Sequence, residues 1–115
     1  MKRLIFVADS HRVLAEFPTP VQRHIGFAPY QAQMGAKHVD AKPWKNVAAG
    51  VLEVVSDHRG DTFRTVYTVR LENAIYVLHA FQKKARHGIA TPKSELELVK
   101  QRLLRAIEID REMGK

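Results

Sequence analysis

The sequence predicts an α/β domain of the α+β type, in which helices flank a small, mainly antiparallel sheet. Two observations carry this prediction. β-Branched and aromatic residues are concentrated in three runs between residues 50 and 81, with turn residues between the runs. Apolar residues recur at three- and four-residue spacing near the C-terminus, and Thr-Pro pairs that suit helix starts occur at 19–20 and 91–92. We therefore expect helices in both end segments and a meander of strands between them.

The N-terminal third is predicted to contain one strand and two helices. Residues 2–7 are predicted to form a short first strand, and Asp9 or Ser10 can cap the helix that follows it. A second helix begins at the Thr19-Pro20 pair, because Thr suits the N-cap and Pro the first helical position. Pro29 is a weak point within this second helix, since proline lacks the amide proton that a helix interior uses.

The middle of the chain is predicted to form a loop and three strands. The polar segment 35–49 is the loop, and Trp44 anchors it by burying a large apolar surface. Gly60 can take the positive φ of a tight turn, and residues 71–73 form a second turn. The predicted strands are residues 50–55, 63–70 and 74–81.

A long C-terminal helix is predicted to start at the Thr91-Pro92 pair. Its apolar residues fall on one stripe, which we expect to pack on the sheet. Lys100, Arg102 and Arg105 lie mostly off that stripe. The stripe consists of Leu96, Val99, Leu103, Ala106 and Ile107.

Composition narrows the class of protein. A chain of 115 residues with 45% hydrophobic content suits one domain, residues 1–115. The absence of cysteine excludes disulfides and cysteine-based zinc sites, and the lack of a signal-like apolar run near Met1 predicts a cytoplasmic protein. No stretch is long enough to span a membrane. The histidines show no recognised zinc spacing, so no metal site and no cofactor are predicted.

Positive charge is both high and unevenly distributed. The formal charge is +7 and the pI is near 10, which favours a polyanionic partner. Between Lys83 and Lys93 there are four Lys or Arg residues and one His, with no acid. An antiparallel hairpin would bring Arg64, near the start of one strand, towards Lys83 and Lys84 at the end of the next. The sequence therefore predicts a phosphate site at this end of the sheet.

One ordered set of residues stands out in this sequence: Trp44, followed by the segments 50–54, 63–67, 75–84 and 91–96. This ordered set resembles the RelE/ParE superfamily of bacterial and phage toxins, near its HigB-like branch. The resemblance implies the toxin of a type II toxin–antitoxin system, whose partner is a cognate antitoxin of the helix-turn-helix, HigA-like kind. It also implies a metal-independent endoribonuclease (mRNA interferase) that cuts messenger RNA on the ribosome and inhibits translation.

The resemblance also implies roles for individual residues. Arg64 matches the strand arginine that stabilises charge on the phosphate, and its planar guanidinium can hold two phosphate oxygens. Lys83 and Lys84 match the basic pair after the last strand, where each lysine makes charging the other harder. His79 is either a proton carrier, since its unperturbed pKa of about 6.5 suits acid and base work, or a partly buried structural residue.

A second group of residues is predicted to contact RNA without performing chemistry. Arg86, His87 and Lys93 would position the RNA electrostatically. Tyr67 could touch RNA with its phenol, although its spacing with Phe63 and Val69 also fits a core-facing row.

Two features leave other functions open. Glu53 stands where some relatives carry lysine, so it could act as a base or merely face a basic neighbour, and the C-terminal helix has no tyrosine. The alternatives are a ParE-like toxin that inhibits DNA gyrase without cutting RNA and a phage nucleic-acid-binding accessory protein. The cations themselves could also be a solvated sheet edge that prevents unwanted strand pairing.

Overall fold

The computed structural model describes residues 1–44, 48–84 and 92–115, with only the backbone described at residues 83 and 84. It confirms the predicted mixture of N-terminal helices, a small sheet and a C-terminal helix, and the sheet has five strands. The elements are β1 (Arg3–Phe6), α1 (Ser10–Ala15), α2 (Thr19–Gln33), β2 (Lys42–Pro43), β3 (Val51–His58), β4 (Asp61–Thr68), β5 (Ala74–Lys84) and α3 (Lys93–Met113).

The sheet is mainly antiparallel, as predicted. Its strand order is β1-β5-β4-β3-β2, and the three long strands β3, β4 and β5 form the expected meander. β1 pairs with β5 in parallel, and β2 pairs antiparallel with β3 inside the segment predicted to be a loop. β5 therefore lies inside the sheet, which accounts for its long apolar run.

The turn between β3 and β4 is shorter than the segment between the two predicted strands, residues 56–62. Arg59 and Gly60 have φ values of 49° and 86°, so the two strands are joined by a two-residue turn with positive φ at both positions. The strands consequently pair up to His58 and Asp61, and β3 extends three residues beyond its predicted end at residue 55. The predicted left-handed conformation of Gly60 is confirmed.

A β-bulge in β5 changes which side chains face each side of the sheet. Val66 pairs with His79 and Tyr67 pairs with Val77, so Leu78 is an extra residue on β5. Without the bulge, His79 would lie opposite Thr65 and would point, like Val77, to the face of the sheet on which the N-terminal helices pack. The bulge therefore moves His79 and the residues after it onto the opposite face from the one that simple alternation predicts.

Helices cover the two faces of the sheet separately. The N-terminal helices pack on one face, where Ile25, Val54 and Tyr67 belong to one core cluster. α3 packs on the other face, where Val66 and Val99 belong to a second cluster. The predicted stripe of α3 is confirmed in part: Val99 and Ala106 are fully buried, whereas Leu96 and Leu103 are partly buried.

α2 continues through the predicted weak point. Thr19 is the first residue of the helix and Pro18 occupies the N-cap, one residue earlier than predicted. Pro29 lies inside the helix. Ile25, Ala28 and Ala32 are buried on the same side as Pro29, and this packing offsets the hydrogen bond that proline removes. Trp44 is buried, which confirms its predicted anchoring of the segment after α2.

Asp110 connects α3 to the β4–β5 turn. Its carboxylate accepts hydrogen bonds from the backbone N–H groups of Glu72 and Asn73 at 3.1 and 2.9 Å and from the Tyr76 hydroxyl at 2.8 Å. Burial opposes ionisation of Asp110, but these hydrogen bonds prevail and lower the pKa of its carboxyl group below 3.8. Burial and the bond to Asp110 raise the pKa of Tyr76. These hydrogen bonds hold the C-terminal part of α3 against the β4–β5 turn.

Replacing Asp110 by Ala should destabilise the domain by roughly 2 to 4 kcal/mol, because two backbone donors and a buried hydroxyl lose their acceptor. Urea unfolding followed by circular dichroism measures the change. Glu108→Ala is the matched control, since Glu108 lies on the same helix with its side chain 61% exposed and should change stability by less than about 1 kcal/mol.

The stabilisation that Asp110 provides should depend on pH. The pKa of Asp110 is lower in the folded than in the unfolded chain, so its stabilisation is present above the unfolded value and is lost as pH falls through the folded value. The difference in stability between the parent and Asp110→Ala should therefore be full at pH 7 and shrink below about pH 4. A difference that stays constant with pH would contradict a role for the charged carboxylate.

Candidate phosphate-binding site

Arg64 lies near the middle of β4, on the face of the sheet that α3 covers. It is in register with Val55 on β3 and with Phe81 on β5. Its Nη1 donates a hydrogen bond to Glu53 Oε2 at 3.1 Å, and the two side chains are 21% and 18% exposed. Of the two possibilities for Glu53, the structure shows the contact with a basic neighbour. The guanidinium is thus held in place by a strand carboxylate.

The pairing with Glu53 uses one donor group of the Arg64 guanidinium, Nη1. Arg64 Nε is buried and has no hydrogen-bond partner among the residues that the structure describes. A guanidinium presents several N–H donors in a fixed plane, so one can hold Glu53 while others bind an anion.

The register of the β4–β5 hairpin brings the backbones of the predicted lysines to the same end of the sheet. Lys83 pairs with Thr62 and Lys84 with Asp61, so both lie within three residues of Arg64 along β4. This confirms the predicted approach of the two strand ends at the level of the backbone. The predicted RNA contacts Arg86 and His87 lie outside the described residues.

His79 is buried and both of its ring nitrogens have partners. Its Nε2 contacts a carboxylate oxygen of Glu95, and Arg102 Nη1 donates to its Nδ1 at 3.0 Å. Because Nδ1 accepts from a guanidinium, the ring proton is assigned to Nε2, where it is donated to Glu95. The ring also stacks on Phe81 at a centroid distance of 4.9 Å. In this arrangement His79 has no free nitrogen, and its predicted role as a proton carrier requires Glu95 or Arg102 to move away.

Arg102 joins three separate parts of the fold. Besides contacting His79, its guanidinium donates to the carbonyl of the bulge residue Leu78 at 3.1 Å and to Asp9 Oδ1 at 2.7 Å. The spacing of apolar residues predicts that Arg102 lies mostly off the apolar stripe, yet its side chain is only 11% exposed. The contact between Arg102 and Asp9 could not be predicted from local sequence spacing, because the two residues are 93 residues apart in sequence.

Asp9 occupies the N-cap position of α1, as predicted, but its side chain makes no capping hydrogen bond. Instead its carboxylate binds Arg102 and, at 3.4 Å, Arg12. Burial alone would raise the pKa of Asp9, but the hydrogen bond and positive charge of Arg102 act against it and hold that pKa below its ordinary value. The carboxylate is therefore ionised at neutral pH.

The two remaining predicted RNA contacts have very different environments. Lys93 is the first residue of α3 and is exposed, so its position allows contact with a ligand. Tyr67 is 1% exposed and packs with Phe63 and Val69 on the α2 side, where burial raises its pKa to about 12. The core-facing alternative for Tyr67 is confirmed, and RNA cannot reach its phenol in this structure.

The positive N-terminal end of α3 points along β5 in the direction of Phe81, the register partner of Arg64. Contacts of Glu95 with His79 and of Asp110 with Asn73 show that α3 runs from the bulge back to the β4–β5 turn. Arg64 is in register with Phe81, two residues beyond His79 on β5, and so lies past the start of α3. A helix N-terminus favours negative charge, as a guanidinium does. This arrangement can bind a phosphate group and stabilise additional negative charge on it.

Among the described residues, no helix is both long and apolar enough to cross a membrane.

Replacing Arg102 by Met should destabilise the domain by roughly 1 to 3 kcal/mol, because Asp9 and the Leu78 carbonyl lose a buried charged donor. Arg105→Met is the matched control on the same helix, since Arg105 is 63% exposed and binds only Glu108 among the described residues. Urea unfolding of both variants measures the difference. Equal stabilities for the two variants would show that the Arg102 contacts are not energetically important.

Comparison with known proteins identifies the family. The sequence profile of the phage-derived Gp49-like proteins matches residues 12–104. Neither a curated protein nor a solved structure matches the chain. The matched segment covers most of the chain and extends from α1 to the middle of α3, so that it includes both Arg64 and Arg102. The chain therefore belongs to the family of phage-derived Gp49-like proteins, which lies within the RelE/HigB-like toxin superfamily.

Proposed function

We propose that the protein is the toxin of a type II toxin–antitoxin system and that it cleaves messenger RNA on the ribosome, as HigB-like toxins do. Family membership supports the toxin class. The observation that carries the reaction is the placement of Arg64, paired with Glu53, beside the strand end that bears Lys83 and Lys84. The charge of +7 suits an RNA substrate.

The proposed reaction uses the RNA's own 2′-hydroxyl as the nucleophile. This oxygen attacks the adjacent phosphorus, the bond to the 5′-oxygen of the next nucleotide breaks, and a cyclic phosphate forms. The protein must orient the backbone, accept a proton, stabilise negative charge and protonate the leaving oxygen. No metal ion is needed for any of these steps.

Individual residues are assigned to these steps as follows. Arg64 stabilises the charge that develops on the phosphate, with Glu53 fixing the orientation of its guanidinium. Lys83 and Lys84 are assigned to add positive charge near the phosphate and to transfer protons during the reaction. The residues that position the RNA are Arg86, His87 and Lys93.

His79 is assigned to proton transfer only in a rearranged site. Its contacts with Glu95 and Arg102 hold both ring nitrogens, so RNA binding would have to displace one of them. With those contacts in place, His79 supports the site by stacking on Phe81, the β5 neighbour of Arg64. Substitution His79→Gln distinguishes the two roles, since proton transfer by His79 would give a pH dependence of cleavage that the variant lacks.

The proposed partners are messenger RNA, the ribosome and a cognate antitoxin of the helix-turn-helix, HigA-like kind. An antitoxin with an acidic surface would complement the charge of the toxin and mask Arg64 and its neighbours. Co-expression with the adjacent gene product should then restore growth and yield a complex that copurifies.

Induced expression of the chain should stop growth and cause cleavage of messenger RNA only while it is being translated. Primer extension on a reporter transcript, with and without its start codon, measures this. Intact transcripts during arrest, together with double-strand DNA breaks, would instead support inhibition of gyrase in the manner of ParE. RNA binding without growth arrest would support an accessory nucleic-acid-binding protein.

Replacing Arg64 by Ala should lower the cleavage rate by about 100-fold or more, because the phosphate loses its charge-stabilising donor. The partly buried ion pair means that this variant should also lose roughly 1 to 3 kcal/mol of stability, in contrast to an exposed cation. Cleavage is therefore measured well below the melting temperature, alongside ribosome binding.

Glu53→Gln is the matched control, since it breaks the same ion pair but keeps the guanidinium. We expect it to retain cleavage to within about tenfold if Glu53 only orients Arg64. A folded Arg64→Ala variant that binds ribosomes and cuts at the parent rate would exclude Arg64 from the reaction. A Glu53→Gln variant as inactive as Arg64→Ala would assign Glu53 the role of the base.

A further inference from the structure

Three potential metal ligands come together on the α2 side of the sheet, although their sequence spacing predicted no metal site. His24 lies in α2, and His38 and Asp40 lie in the segment between α2 and β2. Their ligand atoms all lie within 4.8 Å of one another. Arg64, by contrast, lies on the α3 side. We infer that His24, His38 and Asp40 form a binding site for a divalent transition-metal ion of the zinc class.

His38 is the fixed member of this group. Its side chain is only 8% exposed, and its ring packs against the edge of Phe27 at a centroid distance of 5.8 Å. The backbone N–H of Asp40 donates to His38 Nδ1 at 3.0 Å, so this nitrogen carries the lone pair and the ring proton lies on Nε2. A metal ion would compete with that N–H for the lone pair. The nitrogen is 4.0 Å from Asp40 Oδ2 and thus has a carboxylate oxygen beside it.

His24 and Asp40 are the adaptable members. Their Nε2 and Oδ2 atoms are 2.7 Å apart, and the side chains are 32% and 52% exposed. Asp40 Oδ2 therefore accepts a hydrogen bond from His24 Nε2 while it also lies beside His38 Nδ1. In the metal-bound form the ion would replace the proton that His24 and Asp40 now share, and the imidazole would carry its proton on Nδ1.

The distances suit a small ion with four ligands. Zinc binds imidazole nitrogen and carboxylate oxygen at about 2.0–2.2 Å, which places neighbouring ligand atoms of a tetrahedron about 3.3 Å apart. The observed separations from Asp40 Oδ2, 2.7 Å to His24 and 4.0 Å to His38, lie on either side of that value. Rotation of the two exposed side chains can close the difference. Water would supply the fourth ligand.

The chemistry of the ligands distinguishes between metals. Two imidazoles and one carboxylate favour Zn²⁺, Ni²⁺ or Cu²⁺, whereas Ca²⁺ and Mg²⁺ prefer sites with several more oxygen ligands. A bound ion would join the middle of α2 to the segment that leads into β2. Since unfolding separates these ligands, binding should stabilise the folded chain.

Calorimetric titration of the untagged, chelator-treated chain with ZnCl₂ tests the site. We expect saturable binding of one equivalent and, at about 100 times the dissociation constant, a rise in melting temperature of at least about 5 °C. His24→Gln and Asp40→Asn should each weaken binding by at least about tenfold. These side chains are partly exposed, so both variants should remain folded in the presence of chelator, which circular dichroism checks.

His58→Gln is the matched control, because His58 lies at the β3–β4 turn outside the cluster and its loss should leave zinc binding unchanged. CaCl₂ and MgCl₂ should not change the melting temperature. The inference is overturned if zinc binds without saturation, if the two cluster variants bind it as the parent does, or if calcium stabilises the chain equally.

Discussion

The arrangement of the α3 face depends on one largely buried guanidinium, that of Arg102. It binds the carbonyl of Leu78 in the bulge of β5, the ring of His79 and the carboxylate of Asp9. A charge with so little solvent contact requires a partner of opposite sign, which Asp9 provides. The hydrogen bonds of Arg102 therefore join three segments that are far apart in sequence. These segments are the connection after β1, the bulge in β5 and the middle of α3.

The bulge matters because it selects the face on which the second half of β5 is presented. In a regular strand, His79 and Phe81 would share a face with Val77 and point towards α2. The extra residue Leu78 reverses this, so that Phe81 lies in register beside Arg64 on the α3 face. Bulges often re-aim side chains next to functional sites, and here the bulge carbonyl is itself held by Arg102.

The two faces of the sheet carry different chemistry. On the α3 face, Arg64 pairs with Glu53, and the register partners of Lys83 and Lys84 lie within three residues of Arg64, which suits an anionic substrate. On the α2 face, His24, His38 and Asp40 offer imidazole nitrogens and a carboxylate, which suits a cation. The sheet and its two cores separate these regions, so that substitutions in one can be tested without altering ligands of the other.

The sequence by itself determined the fold class, the three-stranded meander and the approach of Arg64 to the strand end with Lys83 and Lys84. These features follow from local signals, since strand propensity, turn residues and hairpin geometry involve neighbours in the chain. Only the tertiary structure decided the parallel pairing of β1 with β5, the burial of Tyr67 and the bulge at Leu78. Each depends on contacts between distant segments. A pattern of alternating residues shows two faces of a strand, but packing determines which face is buried, where the alternation shifts and which charges meet.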